Sequence, residues 1–111
     1  MQEIEINGEI YVKKSNDFSD YSIIRTYSAG VFFGIIESRN GKEVTIRNAR
    51  RIWKWAGAAS LSQLAMEGTS NPDECKFPCP VSQIIVTEAI EILSLTKKSF
   101  DSLNNVRIWS E

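Results

Sequence analysis

The sequence predicts an α+β fold, with a mostly antiparallel sheet of about six strands and one or two short helices. Segments rich in β-branched and aromatic residues recur along the chain between turns that contain Gly, Asn and Ser. Two later segments begin with helix-capping residues, Ser60 and Thr96. The sequence lacks the strand-helix-strand repetition that is typical of a parallel sheet. At 111 residues the chain is expected to form a single domain, 1–111.

Residues 1–14 alternate apolar and polar side chains and predict a β-hairpin. A two-residue turn at Asn7-Gly8 would place Ile4 and Ile10 on opposite faces. A three-residue loop, with Gly8 in the left-handed conformation, would place them on the same face. We therefore prefer the longer loop.

The next three strands are predicted at residues 21–27, 31–38 and 43–47. A three-residue loop between the last two would pair Ile36 with Val44 and keep the apolar face continuous. Residues 48–55 either extend the third of these strands or form the next one.

A short helix is predicted after Ser60, which forms a capping box with Gln63, and Gly68 ends it. Residues 69–80 hold all three prolines and both cysteines, and loops of this length are often functional.

Residues 81–95 are predicted to form strands because β-branched residues dominate, although their EAIEIL portion alone would suit a helix. Thr96 would cap a short helix that ends at Leu103. Residues 106–109 are predicted to form a last edge strand.

Composition argues against several functions. The formal net charge is −1, whereas proteins that hold long DNA or RNA usually carry a basic excess. Histidine is absent, which removes the commonest general base and metal ligand. Cys75 and Cys79 have no further Cys or His to complete a zinc site, so we interpret both as small apolar residues. We expect no enzyme activity, no metal and no cofactor.

The sequence also predicts the location of the protein. It contains no apolar run of membrane-spanning length, so no membrane association is expected. Its N-terminus is acidic and alternating, unlike a secretory signal. We therefore expect the protein in the cytoplasm of the cell that makes it, where a disulfide is not expected to form.

Cations and indoles alternate over residues 50–55, and this segment is the main candidate for a binding site. Arg50 and Arg51 would hold phosphates, because a guanidinium grips such groups with two hydrogen bonds. Trp53 offers a flat face on which a base would stack. Adjacent strand residues point to opposite faces, so one arginine would serve each site. The alternative is that the tryptophans are core and the arginines lie on a solvated sheet face.

Three residues outside this segment complete the predicted site. Phe77 is the only aromatic residue of the 69–80 loop and is the second candidate for base stacking. Arg25 or Arg107 would complete the cage around the ligand. The predicted ligand is therefore a small anionic nucleotide.

Three long motifs connect the chain to a known group of proteins: RTYSAGVFFG over residues 25–34, NARRIW and GAASLSQLAMEG within residues 48–68, and CKFPCPV over residues 75–81. They resemble a family of small phage and prophage proteins, mostly of unknown function. The resemblance covers residues 21–109, and the N-terminal hairpin lies outside it. The pattern is also similar to that of the phage anti-Thoeris sponge proteins.

That second resemblance implies a function. The sponge proteins sequester, without degrading it, the cyclic ADP-ribose signal made by bacterial TIR-domain enzymes. It therefore implies a phage anti-defence protein in the bacterial host cytoplasm, with ligand sites shared between subunits. The alternative is a protein-binding inhibitor or adaptor of a host factor.

An apolar strand leads to a prediction about assembly. The first half of the strand at residues 31–38 is apolar on both faces, whereas a six-stranded sheet with one short helix would cover only one face. Burying each exposed apolar side chain is worth about 1.5–3 kcal/mol. We therefore predict a homo-oligomer, a dimer or a higher multiple.

Overall fold

The computed structural model describes residues 3–6, 9–12 and 18–110. Strands β1 (Glu3–Ile6) and β2 (Glu9–Val12) form a separate antiparallel hairpin. Their register pairs Ile6 with Glu9, so the predicted three-residue loop is wrong and two residues connect the strands. Two-residue Asn-Gly turns match the twist of antiparallel strands. This local preference outweighs the benefit of placing Ile4 and Ile10 on the same face. The predicted left-handed Gly8 lies outside the described residues.

The main sheet has five antiparallel strands, in the order β6-β5-β4-β3-β7. The predicted α+β class is confirmed, but this sheet has five strands rather than about six. The strands and the two helices have the following bounds: β3 Tyr21–Thr26, β4 Val31–Asn40, β5 Glu43–Arg51, α1 Leu61–Glu67, β6 Val81–Val86, β7 Ala89–Ser94 and α2 Lys97–Asn104.

The sheet curls until its two edges meet at one end. Strands β6 and β7 lie at opposite edges of the strand order, yet only Thr87 and Glu88 connect them. The backbone N–H of Tyr27 donates to the carbonyl of Glu88, and that of Ala89 donates to the carbonyl of Lys42, both at 2.9 Å. The two edges of the open sheet are thereby held close together at this end.

The curled sheet encloses an apolar inner cluster, whose fully or nearly fully buried members all come from the strands: Ile24, Phe32, Val44, Ile46, Ala49 and Val86. Gly34 allows β4 and β5 to approach closely, since a Cβ at this position would lie 2.6 Å from Cγ2 of Ile46. The inner face of the sheet is therefore covered within a single chain.

A larger outer cluster fills the space between the other face of the sheet and the helices. Ile23 and Phe33 of the sheet pack there, with Ile52 directly after β5, against Leu64 of α1 and Leu103 of α2. Ser60 and Thr96 cap the two helices, each accepting a hydrogen bond from a backbone N–H three residues further on, as predicted. Gly68 ends α1 with a positive φ of 78°, also as predicted.

The premise of the oligomer prediction is wrong. Phe32 and Phe33 lie on opposite faces of β4 and are 1% and 2% exposed, and Ile35 is also buried. The inner and outer clusters cover both faces of this strand within one chain, so an apolar surface on β4 does not require a second copy. The homo-oligomer itself stays a prediction.

Two further predictions about strands are wrong. In the hairpin β4–β5, Ile36 pairs with Ile46 instead of Val44, because only Gly41 and Lys42 turn the chain and a bulge in β4 restores the apolar register. Residues 106–109 form no strand, since the segment makes a single parallel bridge from Ile108 to Phe77. No helix among the described residues is long and apolar enough to cross a membrane.

Candidate functional site

Adjacent arginines in β5 point to opposite faces of the sheet, as predicted. Asn48 adopts a positive φ of 53° at a β-bulge, where the register of β4 with β5 shifts. The bulge adds one residue to β5 and reverses the alternation beyond it. Arg50 consequently lies on the outer face of the sheet and Arg51 on the inner face, beside Phe77 and Phe32 respectively.

Arg50 is 6% exposed and holds the 76–80 segment against β5. Its Nε donates to the carbonyl of Pro78 at 3.0 Å, and its Nη2 donates to the carbonyl of Phe77 at 3.2 Å. Its guanidinium carbon lies 5.4 Å from the centre of the Phe77 ring. Burial lowers the pKa of Arg50, and the nearby Cys79 thiol opposes this shift.

Two other predicted arginines lie elsewhere and already have partners. Arg51 stacks its guanidinium 4.5 Å from the centre of the Phe32 ring and donates to the carbonyl of Ala29. Arg25 is exposed and forms an ion pair with Glu91, its cross-strand neighbour in β7, at 2.9 Å. The structure therefore does not bring these two residues together with Arg50.

The two rings predicted to stack a base differ completely in exposure. Phe77 is 0% exposed and packs at a tilt against Phe33 in the outer cluster, so its ring is not available to a ligand in this structure. Trp53 is 64% exposed, and its backbone N–H donates to the carbonyl of Lys76. Trp55, the next indole, is partly buried against the outer cluster.

Three cations and one indole converge on a cleft of about 490 Å³ at the surface, which we call the cationic cleft. The cations are Lys54, Lys76 and Arg107, and the indole is that of Trp109. Asp73 and Glu74, in the short 3-10 helix Pro72–Glu74, also line the cleft. Of the predicted site residues, only Arg107 is found here.

Backbone hydrogen bonds hold the walls of the cationic cleft in place. Lys54 and Lys76 form an antiparallel bridge, in which the N–H of Lys76 donates to the carbonyl of Lys54 at 2.8 Å. The N–H of Trp109 donates to the carbonyl of Phe77 at 2.9 Å, which fixes the C-terminal segment. Nζ of Lys76 lies 5.3 Å from the centre of the Trp109 ring. Three separate parts of the chain thus meet at fixed positions.

The cations of the cationic cleft form no ion pairs within the described part of the chain. Residues 18–110 contain ion pairs between Arg25 and Glu91 and between Lys97 and Asp101, and neither involves a cation of the cleft. Three positive charges face two carboxylates there, so the cleft carries a net charge of +1. Such a surface attracts anions.

The sequence prediction missed Lys54, Lys76 and Trp109 as members of one site. One local signal was available, since Arg107 and Trp109 lie two residues apart, directly after the buried Val106. The approach of this segment to residues 54 and 76 depends on non-local pairing, and no spacing in the sequence encodes it.

The cysteines have different environments. Cys75 is buried, with its Sγ 3.6 Å from the carbonyl oxygen of Ala56. Cys79 is exposed. Both are free thiols. Among the described residues, no group of three Cys, Asp or Glu side chains is arranged to hold a metal ion.

The match to a protein family covers most of the main fold. Residues 19–103 match a domain of unknown function, DUF6948, and the chain belongs to that family. The match begins after the β1–β2 hairpin and ends before Arg107 and Trp109 of the cationic cleft. No curated protein and no solved structure matches the chain significantly.

Proposed function

We propose that this protein binds and sequesters a small anionic nucleotide in the cationic cleft, without chemical conversion of the ligand. One observation carries the proposal: Lys54, Lys76 and Arg107 converge beside the indole of Trp109 without ion-pair partners among the described residues. The volume of about 490 Å³ lies within the range of roughly 300–1,000 Å³ that small-molecule sites occupy.

Each part of the cleft has a role in this proposal. Arg107 offers a planar set of donors to a phosphate, and the two lysines add positive charge that adapts to its position. The ring of Trp109 offers an aromatic face, over which the ammonium of Lys76 now lies. When phosphate draws that ammonium away, the face becomes free to stack a base. The side chains that would hold the ligand thus come from one chain.

The specific ligand that we propose is a signal of the cyclic ADP-ribose type. A pyrophosphate carries two negative charges, which matches a cleft with clustered cations, and an adenine base matches the indole. This choice also rests on the resemblance of the motifs to the phage sponge proteins. It implies that the protein works in the bacterial cytoplasm as an anti-defence protein and that it assembles as a homo-oligomer.

Isothermal titration calorimetry with cyclic ADP-ribose isomers and with linear ADP-ribose tests the proposal. We expect saturable binding, at least tenfold weaker in Lys76→Ala and in Arg107→Ala than in the unmodified protein. Arg39→Ala is the matched control, because Arg39 is exposed at the end of β4, donates to the carbonyl of Gly41 and does not line the cationic cleft. Mass spectrometry of the ligand released by denaturation should return its mass unchanged.

Two results would contradict the proposal. The first is the absence of binding heat at protein concentrations well above micromolar. The second is equal weakening by Arg39→Ala, which would show that positive side chains anywhere on the surface, rather than those of the cleft, attract the ligand.

A protein-binding function is the second candidate, and the exposure of Trp53 supports it. An indole that is 64% exposed is unusual on a monomer surface and typical of an interface residue. Capture from host lysate should then recover a stoichiometric partner with the unmodified protein and lose it with Trp53→Ala. Tyr27→Ala, a change at a residue that is 76% exposed, is the control for general surface stickiness.

A further inference from the structure

A second cleft, of about 370 Å³, adjoins the cationic cleft, and Ile108 lines both. We call it the Arg50 cleft. Its walls include the rings of Tyr21 and Phe33 and the side chain of Val106, all of which belong to the outer cluster. Among the described residues that line it, Arg50 is the only charged one, so none of these supplies a carboxylate to the guanidinium.

The hydrogen bonds of Arg50 leave part of its guanidinium unused. Nε and Nη2 donate to the carbonyls of Pro78 and Phe77. The other terminal nitrogen, Nη1, has no hydrogen-bond partner in the described part of the chain. Among the described residues, every fully buried side-chain nitrogen or oxygen atom has a hydrogen-bond partner. Nη1 is therefore not fully buried, and it belongs to a residue that lines this cleft.

The contacts of Arg50 with the 76–80 segment do not neutralise its positive charge. Two hydrogen bonds to carbonyl oxygens position the guanidinium, but they leave its positive charge in a largely desolvated place. A buried charge without an opposite charge is costly, and an anion that reaches it makes strong hydrogen bonds because little water competes. The amides of Asn48 and Asn104, which also line the cleft, add donors near the same space.

We propose that the Arg50 cleft binds an oxyanion, a carboxylate or a phosphate, carried on a flat apolar group. The oxyanion would accept hydrogen bonds from Nη1 of Arg50, and the apolar group would lie against Tyr21, Phe33 and Val106. This site is separate from the one in the nucleotide proposal, because it uses a different cleft and a different cation. A ligand that extends over Ile108 would be able to occupy both.

Two probes test the proposal on the full chain: benzoate, a carboxylate on a flat ring, and inorganic phosphate. Each is titrated while the Nε–Hε signal of Arg50 is followed by nuclear magnetic resonance, with sodium chloride at matched ionic strength as the reference. We expect a saturable shift of this signal that chloride does not reproduce. A response to benzoate alone identifies a carboxylate site, and a response to phosphate as well identifies a general oxyanion site.

Substitutions near Arg50 show whether the response arises in this cleft. Asn104→Trp places a ring at the cleft from the exposed end of α2 and should weaken the response at least tenfold. Asn105→Trp, one residue further on and outside the lining, should leave it unchanged. The proposal is overturned if chloride gives the same shift, or if Asn104→Trp titrates like the unmodified protein.

A third variant separates the two proposals. Lys76→Ala should weaken nucleotide binding in the cationic cleft at least tenfold while the Arg50 signal still responds to benzoate. If the variant keeps both nucleotide binding and the benzoate response, the nucleotide proposal fails and the proposal for the Arg50 cleft is supported. If the unmodified protein binds nucleotide but shows no benzoate response, the proposal for the Arg50 cleft fails and the nucleotide proposal is supported.

Discussion

Arg50 and Arg51 are neighbours in β5, yet they end in opposite environments. The guanidinium of Arg50 lies beside Phe77 on the outer face and lines a cleft, with Nη1 still free to bind. The guanidinium of Arg51 lies over Phe32 at the inner cluster and donates to the carbonyl of Ala29. In a curled sheet, the alternation of a strand therefore decides whether a cation faces a site or covers the core.

The largest expected effects come from removing the two rings beside these guanidinium groups. Phe32→Ala and Phe77→Ala should each lower the free energy of unfolding by about 3–5 kcal/mol, because both rings are almost fully buried. Chemical denaturation measures this change. Tyr27→Ala, at an exposed ring, should stay within about 0.5 kcal/mol. A small effect at Phe32 alone would mean that the inner cluster is not closed.

Arg50→Met should have the next largest effect, lowering the free energy of unfolding by about 1–3 kcal/mol. The aliphatic part of the side chain is preserved, but the carbonyls of Phe77 and Pro78 lose their donors. Denaturation midpoints measured beside those of the unmodified protein give the value. A neutral or stabilising result would show that the cost of burying the charge exceeds the hydrogen bonds, which would strengthen the case for an anion partner.

Arg51→Met should cost less, about 1 kcal/mol, since Arg51 is only partly buried and loses one backbone hydrogen bond and one ring contact. The same denaturation experiment applies. If Arg51→Met destabilises the protein more than Arg50→Met does, the expectation that Arg50 contributes more to stability than Arg51 is wrong.

Arg25→Ala should have the smallest effect, about 0–1 kcal/mol, because its ion pair with Glu91 is exposed. High salt should reduce the difference from the unmodified protein. A larger loss, unaffected by salt, would show that Arg25 holds β3 against β7 through packing rather than through charge.

Local signals in the sequence predicted most of the helices and strands. Ser60, Gly68 and Thr96 mark helix ends through their own side chains or backbone preferences, and all three predictions are confirmed. The opposite orientation of Arg50 and Arg51 also follows from strand alternation alone. The turn lengths were wrong because β-bulges, rather than longer loops, keep the apolar register in the β4–β5 hairpin.

The curl of the sheet and the composition of the cationic cleft were not predictable in this way. The curl depends on β6 and β7 pairing with β5 and β3, and many other pairings suit the same apolar pattern. Phe77 was predicted to contact a ligand because it is the only aromatic residue of its loop, but that loop folds inwards and buries it. Lys54, Lys76 and Arg107 come together only after such non-local contacts form.

The two-residue link between β6 and β7 also has a consequence for the rate of folding. Joining β7 to β3 brings together residues such as Arg25 and Glu91, which are 66 positions apart in the chain. Contacts over such separations form slowly, because the chain loses much conformational entropy before the pairing stabilises it. We expect the β3–β4–β5 meander, whose strands are consecutive, to form first. Addition of β6 and β7 then completes the inner cluster. The end of the sheet where these two strands are linked therefore forms late and limits the overall rate of folding.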